Sequence, residues 1–221
     1  MTPFLKYLGA TCSFKSKKWG ILTAESASFT SAIDGDLVIY MGESLNEYSI
    51  PLVRIHSECV FAEAFGSEFC DCAEQFNMAM EKLKKSRTGI LFYLRIDGRG
   101  AGLSAKVKAT ELETNGMDTY DSRVNIGVPP DSRNYNQIGN FLAKKGIKSV
   151  ILLTNNPEKI QGIESAGITV IPESLIIDSD NKNIRRLYQT KAKKFKHSIP
   201  DKYSSENLPS QLQIDFDGKN S

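Results

Sequence analysis

The chain has 221 residues, of which 40% are apolar and 24% charged, and a formal net charge of +2. That length can bury the core of one large domain, the balance is that of an ordinary globular chain, and no apolar run is long enough to span a bilayer. So small a net charge gives no argument for nucleic-acid binding, and the opening MTPFLKYLGATCSFKSKKWG turns basic before an apolar signal region can form. A reducing, cytoplasmic setting without disulfides is therefore expected.

Up to about residue 58 the chain reads as short strands, WGILTAE, GDLVIYM and YSIPLVRIHS, separated by polar or Gly-containing turns. From Cys72 the period changes. Phe76, Ala79, Met80 and Leu83 recur at helical spacing and form a packing stripe. A strand, GILFYLR, leads into the Gly-rich loop IDGRGAGLSAK, and helical stretches follow around SAKVKATELETNG and NYNQIGNFLAKKG. The second passes through a Gly stop into an apolar strand, KSVILL, that ends in the polar turn TNNPEK. PEKIQGIESAG suggests a short helix with Pro157 at its start, and ITVIP a closing strand. This alternation predicts an α/β (mixed α+β) architecture without internal repeats. The basic segment from Lys182 to His197 reads as a solvated helix face, with a phosphate surface as the alternative. Residues 1–198 are expected to form one domain and the polar residues 199–221 a flexible tail.

Three cysteines carry the first chemical signal. Cys70 and Cys72 are two residues apart, and Cys59 lies eleven residues upstream. Three thiolates leave one position of a tetrahedral zinc site for a water, although free cysteines also serve as small buried hydrophobes. In the Gly-rich loop, Asp97 and Arg99 flank Gly98; such loops bring backbone N–H groups near anions and Arg99 offers a planar fork to a phosphate, but an ordinary turn explains the glycines equally well. Asp131 and Arg133 stand two apart in PPDSRNY, a spacing that can project them to different sides of a bound group or form an incidental surface ion pair. Thr154, followed by Asn155, Asn156 and Lys159, sits at a strand end, a common ligand position and also a routine turn.

Together the segment Arg54 to Cys59, the Cys70–Cys72 pair, DGRGAGL, Asp131–Arg133 and LLTNNPEK closely resemble GTP cyclohydrolase II, and the resemblance extends through GMDTYDSRVNIG and YQTKAKKFKH. It implies zinc on Cys59, Cys70 and Cys72, and hydrolysis of GTP at two places. C8 of guanine is lost as formate and the β,γ-phosphates as pyrophosphate, leaving a diaminopyrimidinone ribosyl monophosphate on the route to riboflavin. It assigns Arg133 to the α-phosphorus with Asp131 as acid/base partner. It places Arg54, Ile55, His56, Ser57, Glu58, Gln75, Asp97, Gly98, Arg99, Thr119, Thr154 and Lys159 around the nucleotide. Magnesium with the triphosphate and a homodimer are implied as well.

Several positions depart from the family pattern. Phe69 stands for the usual arginine before Cys-Asp-Cys and Ala73 for the glycine after it. The usual His-Arg-Gln-Glu-Gly-Arg stretch runs here from Leu94 to Arg99, which shortens a glutamate to Asp97, and Thr110 replaces a tyrosine thought to assist the ring chemistry. These changes raise the alternatives of a product that keeps its formyl group, of another purine nucleotide as substrate, or of a non-catalytic zinc- and nucleotide-binding protein.

Overall fold

The computed structural model describes residues 7–30, 35–46 and 48–204. Seven strands form one sheet in the order β1-β2-β3-β5-β4-β6-β7: β1 Thr11–Ser16, β2 Gly20–Ala27, β3 Asp36–Gly42, β4 Leu52–Ser57, β5 Thr88–Leu94, β6 Ser149–Leu153 and β7 Thr169–Glu173. The first half, β1-β2-β3-β5, is antiparallel, and β5-β4-β6-β7 is parallel. The expected mixed α/β class is therefore realised within a single sheet. The central strand β5 is buried from Gly89 to Phe92, as its continuous apolar run requires.

Helices cover both faces. α2 (Cys72–Lys85) lays Met80 and Leu83 against Leu22, Ile39, Met41 and Leu91. On the other face α5 (Asn136–Lys144) and α6 (Pro157–Glu164) contribute Ile138, Leu142 and Ile163 to the larger core, with Val53, Ile55, Ile90, Phe92 and Leu152 from the sheet. Helix α6 starts where Asn156 accepts a hydrogen bond from the Glu158 N–H and Pro157 fills the first turn, where no intrahelical N–H bond is lost. The remaining helices are α1 (Val60–Phe65), α3 (Gly102–Thr114), α4 (Asp121–Asn125), α7 (Lys182–Phe195) and α8 (Asp201–Ser204). None is long and apolar enough to cross a membrane.

Three expectations need adjustment. β1 adds to the expected strands: its TCSFKS alternates only Cys12 and Phe14 with polar residues, and both are exposed, so no buried face marks it. The basic segment is a helix whose solvated face is backed by a buried one: Ile184 and Tyr188, one turn apart on α7, are buried against Tyr203 of α8. Packed structure thus continues past residue 198, and residues 205–221 lie outside the described residues.

The parallel half positions the site. β4, β5 and β6 all end at the same edge, so the segments that follow them, 58–59, 95–101 and 154–156, converge there. The crevice beyond the carboxyl ends of parallel strands is where such sheets bind ligands.

Candidate active site

Residue alternation along β4 sends Arg54 and His56 to the α2 side and Ile55 into the main core. Arg54 is buried; its Nη1 donates to the Leu153 carbonyl at 2.9 Å and its Nη2 to Gln75 Oε1 at 3.0 Å. Gln75 in turn donates to Asp71 Oδ2 at 2.5 Å. Asp71, 0% exposed between two cysteines, also accepts from Tyr188 Oη (2.5 Å) and Lys191 Nζ (3.2 Å). Burial opposes its ionisation, but these partners hold its carboxyl below the usual range.

Cys59 and Cys70 Sγ atoms lie 3.6 Å apart, and all three sulfurs fall within 4.8 Å of one another. That is too long for a disulfide and close to the ~3.8 Å edge of a tetrahedron built on Zn–S bonds. The donor set fits zinc. Among the described residues no other His, Asp or Glu joins this group, because His56 Nε2 is turned to Glu63 Oε1 at 2.9 Å. Glu63 also accepts from the Cys59 N–H at 2.7 Å and from Tyr93 Oη at 2.8 Å, and so fixes the backbone of a metal ligand. Hydrogen bonds from Cys70 and Cys72 hold the Cys59 thiol below its usual range; burial opposes this and Lys106 reinforces it. The bond to Cys59 pushes Cys70 up to about 12. A metal ion would displace the protons these thiols retain.

Lys106 of α3 lies against this cluster. Its Nζ is 3.1 Å from Cys59 Sγ, 2.7 Å and 2.9 Å from the two Asp97 oxygens, and 4.7 Å from the centre of the Phe61 ring. Asp97 further accepts from the Gly98 and Val60 N–H groups. Every contact of Asp97 is thus internal, joining the Gly-rich loop to the segment carrying Cys59. Thr110 is one helical turn beyond Lys106 on the same face and lines the cleft with Phe69.

Asp131 and Arg133 do not project apart. Arg133 Nε donates to Asp131 Oδ1 at 2.9 Å and Nη2 to Oδ2 at 2.5 Å, a two-bond fork, while Nη1 reaches Ser57 Oγ at 3.2 Å. With side chains 13% and 6% exposed, this is no incidental surface pair. Arg99 Nη1 approaches the same carboxylate at 3.6 Å. Burial raises the Asp131 pKa, but the bonds and charge of Arg133 and the charge of Arg99 outweigh it and bring it to about 2. Burial likewise opposes the charge on Arg133, and Tyr135 and Asp131 more than offset it.

The other expected residues gather on the same cleft, which encloses about 200 Å³. Ser57, Glu58, Gly98, Thr119, Thr154 and Lys159 line it. Lys159 Nζ donates to the Ile55 carbonyl at 3.0 Å, and burial beside Arg54 and Arg133 depresses its pKa. Ile55 is the exception among the expected contacts: its side chain is 0% exposed in the core, and only its carbonyl reaches the site, through Lys159. Thr119 accepts from Arg123, which is itself paired with Glu113 at 2.7 Å. Asn156, which the sequence places beside Thr154, lines the cleft as well, and so do Lys106, Lys191 and His197, which the sequence does not single out. A lysine inside SAKVKATELET looks like any surface lysine, whereas Lys191 and His197 lay in the segment already marked for its charge.

The family model for GTP cyclohydrolase II matches residues 10–174. A protein named GTP cyclohydrolase-2 from Neisseria meningitidis serogroup A is 38% identical over 201 residues, covering 91% of this chain and 100% of its own length. Another of that name from Psychromonas ingrahamii is 40% identical over 183 residues, 80% of this chain and 90% of its own. The Arabidopsis thaliana monofunctional riboflavin biosynthesis protein RIBA 3, chloroplastic, is 37% identical over 190 residues, 85% of this chain and 37% of its own. With three thiols arranged for a metal ion beside a cleft lined with cations, and with matches over most of its length, the chain belongs to the GTP cyclohydrolase II family.

Proposed function

We propose that the protein opens the guanine imidazole ring of GTP at C8, releasing formate and pyrophosphate and leaving the diaminopyrimidinone ribosyl monophosphate. The observation that carries this reading is the meeting of two chemistries in one cleft: the Cys59, Cys70 and Cys72 thiols on one wall and Arg133, held from behind by Asp131, on another. Zinc held by the thiols would supply a Lewis acid that lowers the pKa of a coordinated water.

The chain's own groups do the rest. Phe61, Phe69, Ile176 and Leu187 give the cleft an apolar part suited to a purine ring. Arg99, Arg133 and Lys159 face the phosphates, with magnesium accompanying the triphosphate. Because Asp131 holds Arg133 fully protonated and oriented, the arginine neutralises charge on the transferring phosphoryl group rather than attacking it. Asp131, ionised throughout the neutral range, fixes that fork. A homodimer in the cytoplasm, acting on the route to riboflavin, completes the proposal.

A second reading is favoured by Thr110. It stands on the cleft wall beside Lys106, without the phenol that the family resemblance leads one to expect. Loss of that group leaves ring opening possible and removes help for the second hydration, so a formyl-retaining product is the alternative. Incubating zinc-loaded protein with GTP and magnesium, resolving products by mass and assaying formate and pyrophosphate separates the two. Formate with the deformylated pyrimidine supports the first; a ring-opened nucleotide that keeps the formyl mass supports the second. No turnover of GTP would refute both.

A further inference from the structure

The C-terminal arm, α7 and the turn after it, lies beyond the residues matched by the family model, yet it is tied into the cleft at several points. Asn155, next to Thr154, donates its side-chain amide to the Ser198 carbonyl at 2.8 Å, and the Ser198 N–H returns to the Asn155 carbonyl at 2.9 Å. The Phe195 ring packs 4.2 Å from the Arg99 guanidinium carbon. Lys194 pairs with Asp118 and Asp121 at 2.7 Å each. Tyr188 and Lys191 reach Asp71, inside the Cys-Asp-Cys segment. These ties bring Lys191 and His197 onto the cleft wall.

Electrostatics there calls for a polyanion. Arg54, Arg99, Arg133, Lys159 and Lys191 share one cleft, with Asp71 and Asp131 bonded among them from behind the wall; of the acidic residues lining the cleft itself, Asp97 and Glu113 are paired with Lys106 and Arg123, and Glu58 is the third. Lys191 has three ammonium donors, and its hydrogen bond to Asp71 engages one of them. His197 makes no side-chain hydrogen bond among the described residues. Burial, with Lys191, Arg99, Lys159 and Arg133 around it, keeps its imidazole neutral, with a pKa of about 3. We infer that this arm is part of the polyphosphate-binding wall, with Lys191 and His197 as ligands of the terminal phosphates. The inference rests on the nucleotide reading only for what the polyphosphate is attached to.

Inorganic tripolyphosphate is therefore the first probe, titrated calorimetrically into zinc-loaded full-length protein, with GTP and GMP as second and third. Lys191→Met and His197→Ala are each expected to weaken tripolyphosphate and GTP by about tenfold or more and GMP by less than about twofold, while Lys191→Arg retains affinity. Circular dichroism and zinc stoichiometry confirm that each variant is folded and loaded. Wild-type protein without affinity for tripolyphosphate would overturn the inference. So would variants that bind it unchanged, or a Lys191→Met protein that loses GTP and GMP equally, since the lysine would then act only by supporting Asp71. Tripolyphosphate binding that depends on Lys191, in a protein that leaves GTP intact, would retain the inference and remove the proposed reaction.

Discussion

A zinc ion on three thiolates carries one surplus negative charge, and Lys106, its Nζ 3.1 Å from Cys59 Sγ, is the buried cation placed to offset it. Asp97 holds that ammonium through both oxygens, so its position does not depend on an extended, mobile side chain. Replacing Lys106 by Met keeps most of the stem and removes the charge. The expected result is a zinc affinity lower by about tenfold to a hundredfold, read by competition with a chromogenic chelator, with an unchanged far-ultraviolet spectrum. An unaltered affinity would show that the contact is packing alone. The cysteines were legible because their spacing is unusual and their chemistry narrow. Lys106 was not, since its role depends on α3 running back past Cys59, and nothing in the local pattern distinguishes it from Lys108, which is exposed and pairs with Glu111.

Two loops, not one, build the side of the cleft that carries Arg99 and Arg133, and their docking has a backbone requirement. Gly98, Arg99 and Gly100 all have left-handed φ values, 62°, 58° and 94°. A Cβ on Gly100 would lie 2.4 Å from Ser132 Oγ and 3.3 Å from the Arg133 N, where the Arg99 carbonyl accepts from the Ser132 N–H at 3.0 Å. Gly100→Ala must therefore turn the Ser132 hydroxyl away and push the loop carrying Arg99 back from that carrying Arg133 by a few tenths of an ångström. Gly102, also left-handed at 83°, has nothing within 4 Å of its would-be Cβ. Gly102→Ala should cost only the conformational strain, about 1 kcal/mol, whereas Gly100→Ala should cost about 2 kcal/mol or more and lower kcat/KM by at least about tenfold. Urea unfolding and GTP turnover of the two variants decide this, and equal effects would contradict it. The long helices α2, α3 and α5 were legible from their periodic or flanking residues. The six-residue α1 and the exposed β1 offered too little pattern, and α7 concealed its buried Ile184 and Tyr188 among lysines and arginines. Which strands adjoin is a tertiary matter: β4 lies between β5 and β6, which follow it in sequence, and that order alone makes the cleft.

The molecule as a whole brings ionised carboxylates under cover to hold its cationic cleft together, and this sets its response to acid. Asp71, Glu63 and Asp131 all have pKa values lowered despite burial. A carboxylate whose folded pKa lies below its unfolded one binds fewer protons in the native state near that range. Its contribution to stability is therefore complete above the unfolded value and declines as pH falls toward the folded one. For Asp131 the window runs from 3.8 down to about 2. Asp131→Asn removes the titration while leaving a side chain of similar size. Urea unfolding at pH 6 and pH 3 should show a wild-type loss of stability larger than that of the variant by about 1 kcal/mol. Any metal ion that acid frees from the cysteines is lost from both proteins alike and cancels in that difference. The variant should also be the less stable at pH 6, because Arg133 and Arg99 lose the carboxylate between them. Equal acid losses in the two proteins would mean that Asp131 is as easily protonated folded as unfolded, and that its fork with Arg133 does not persist in solution.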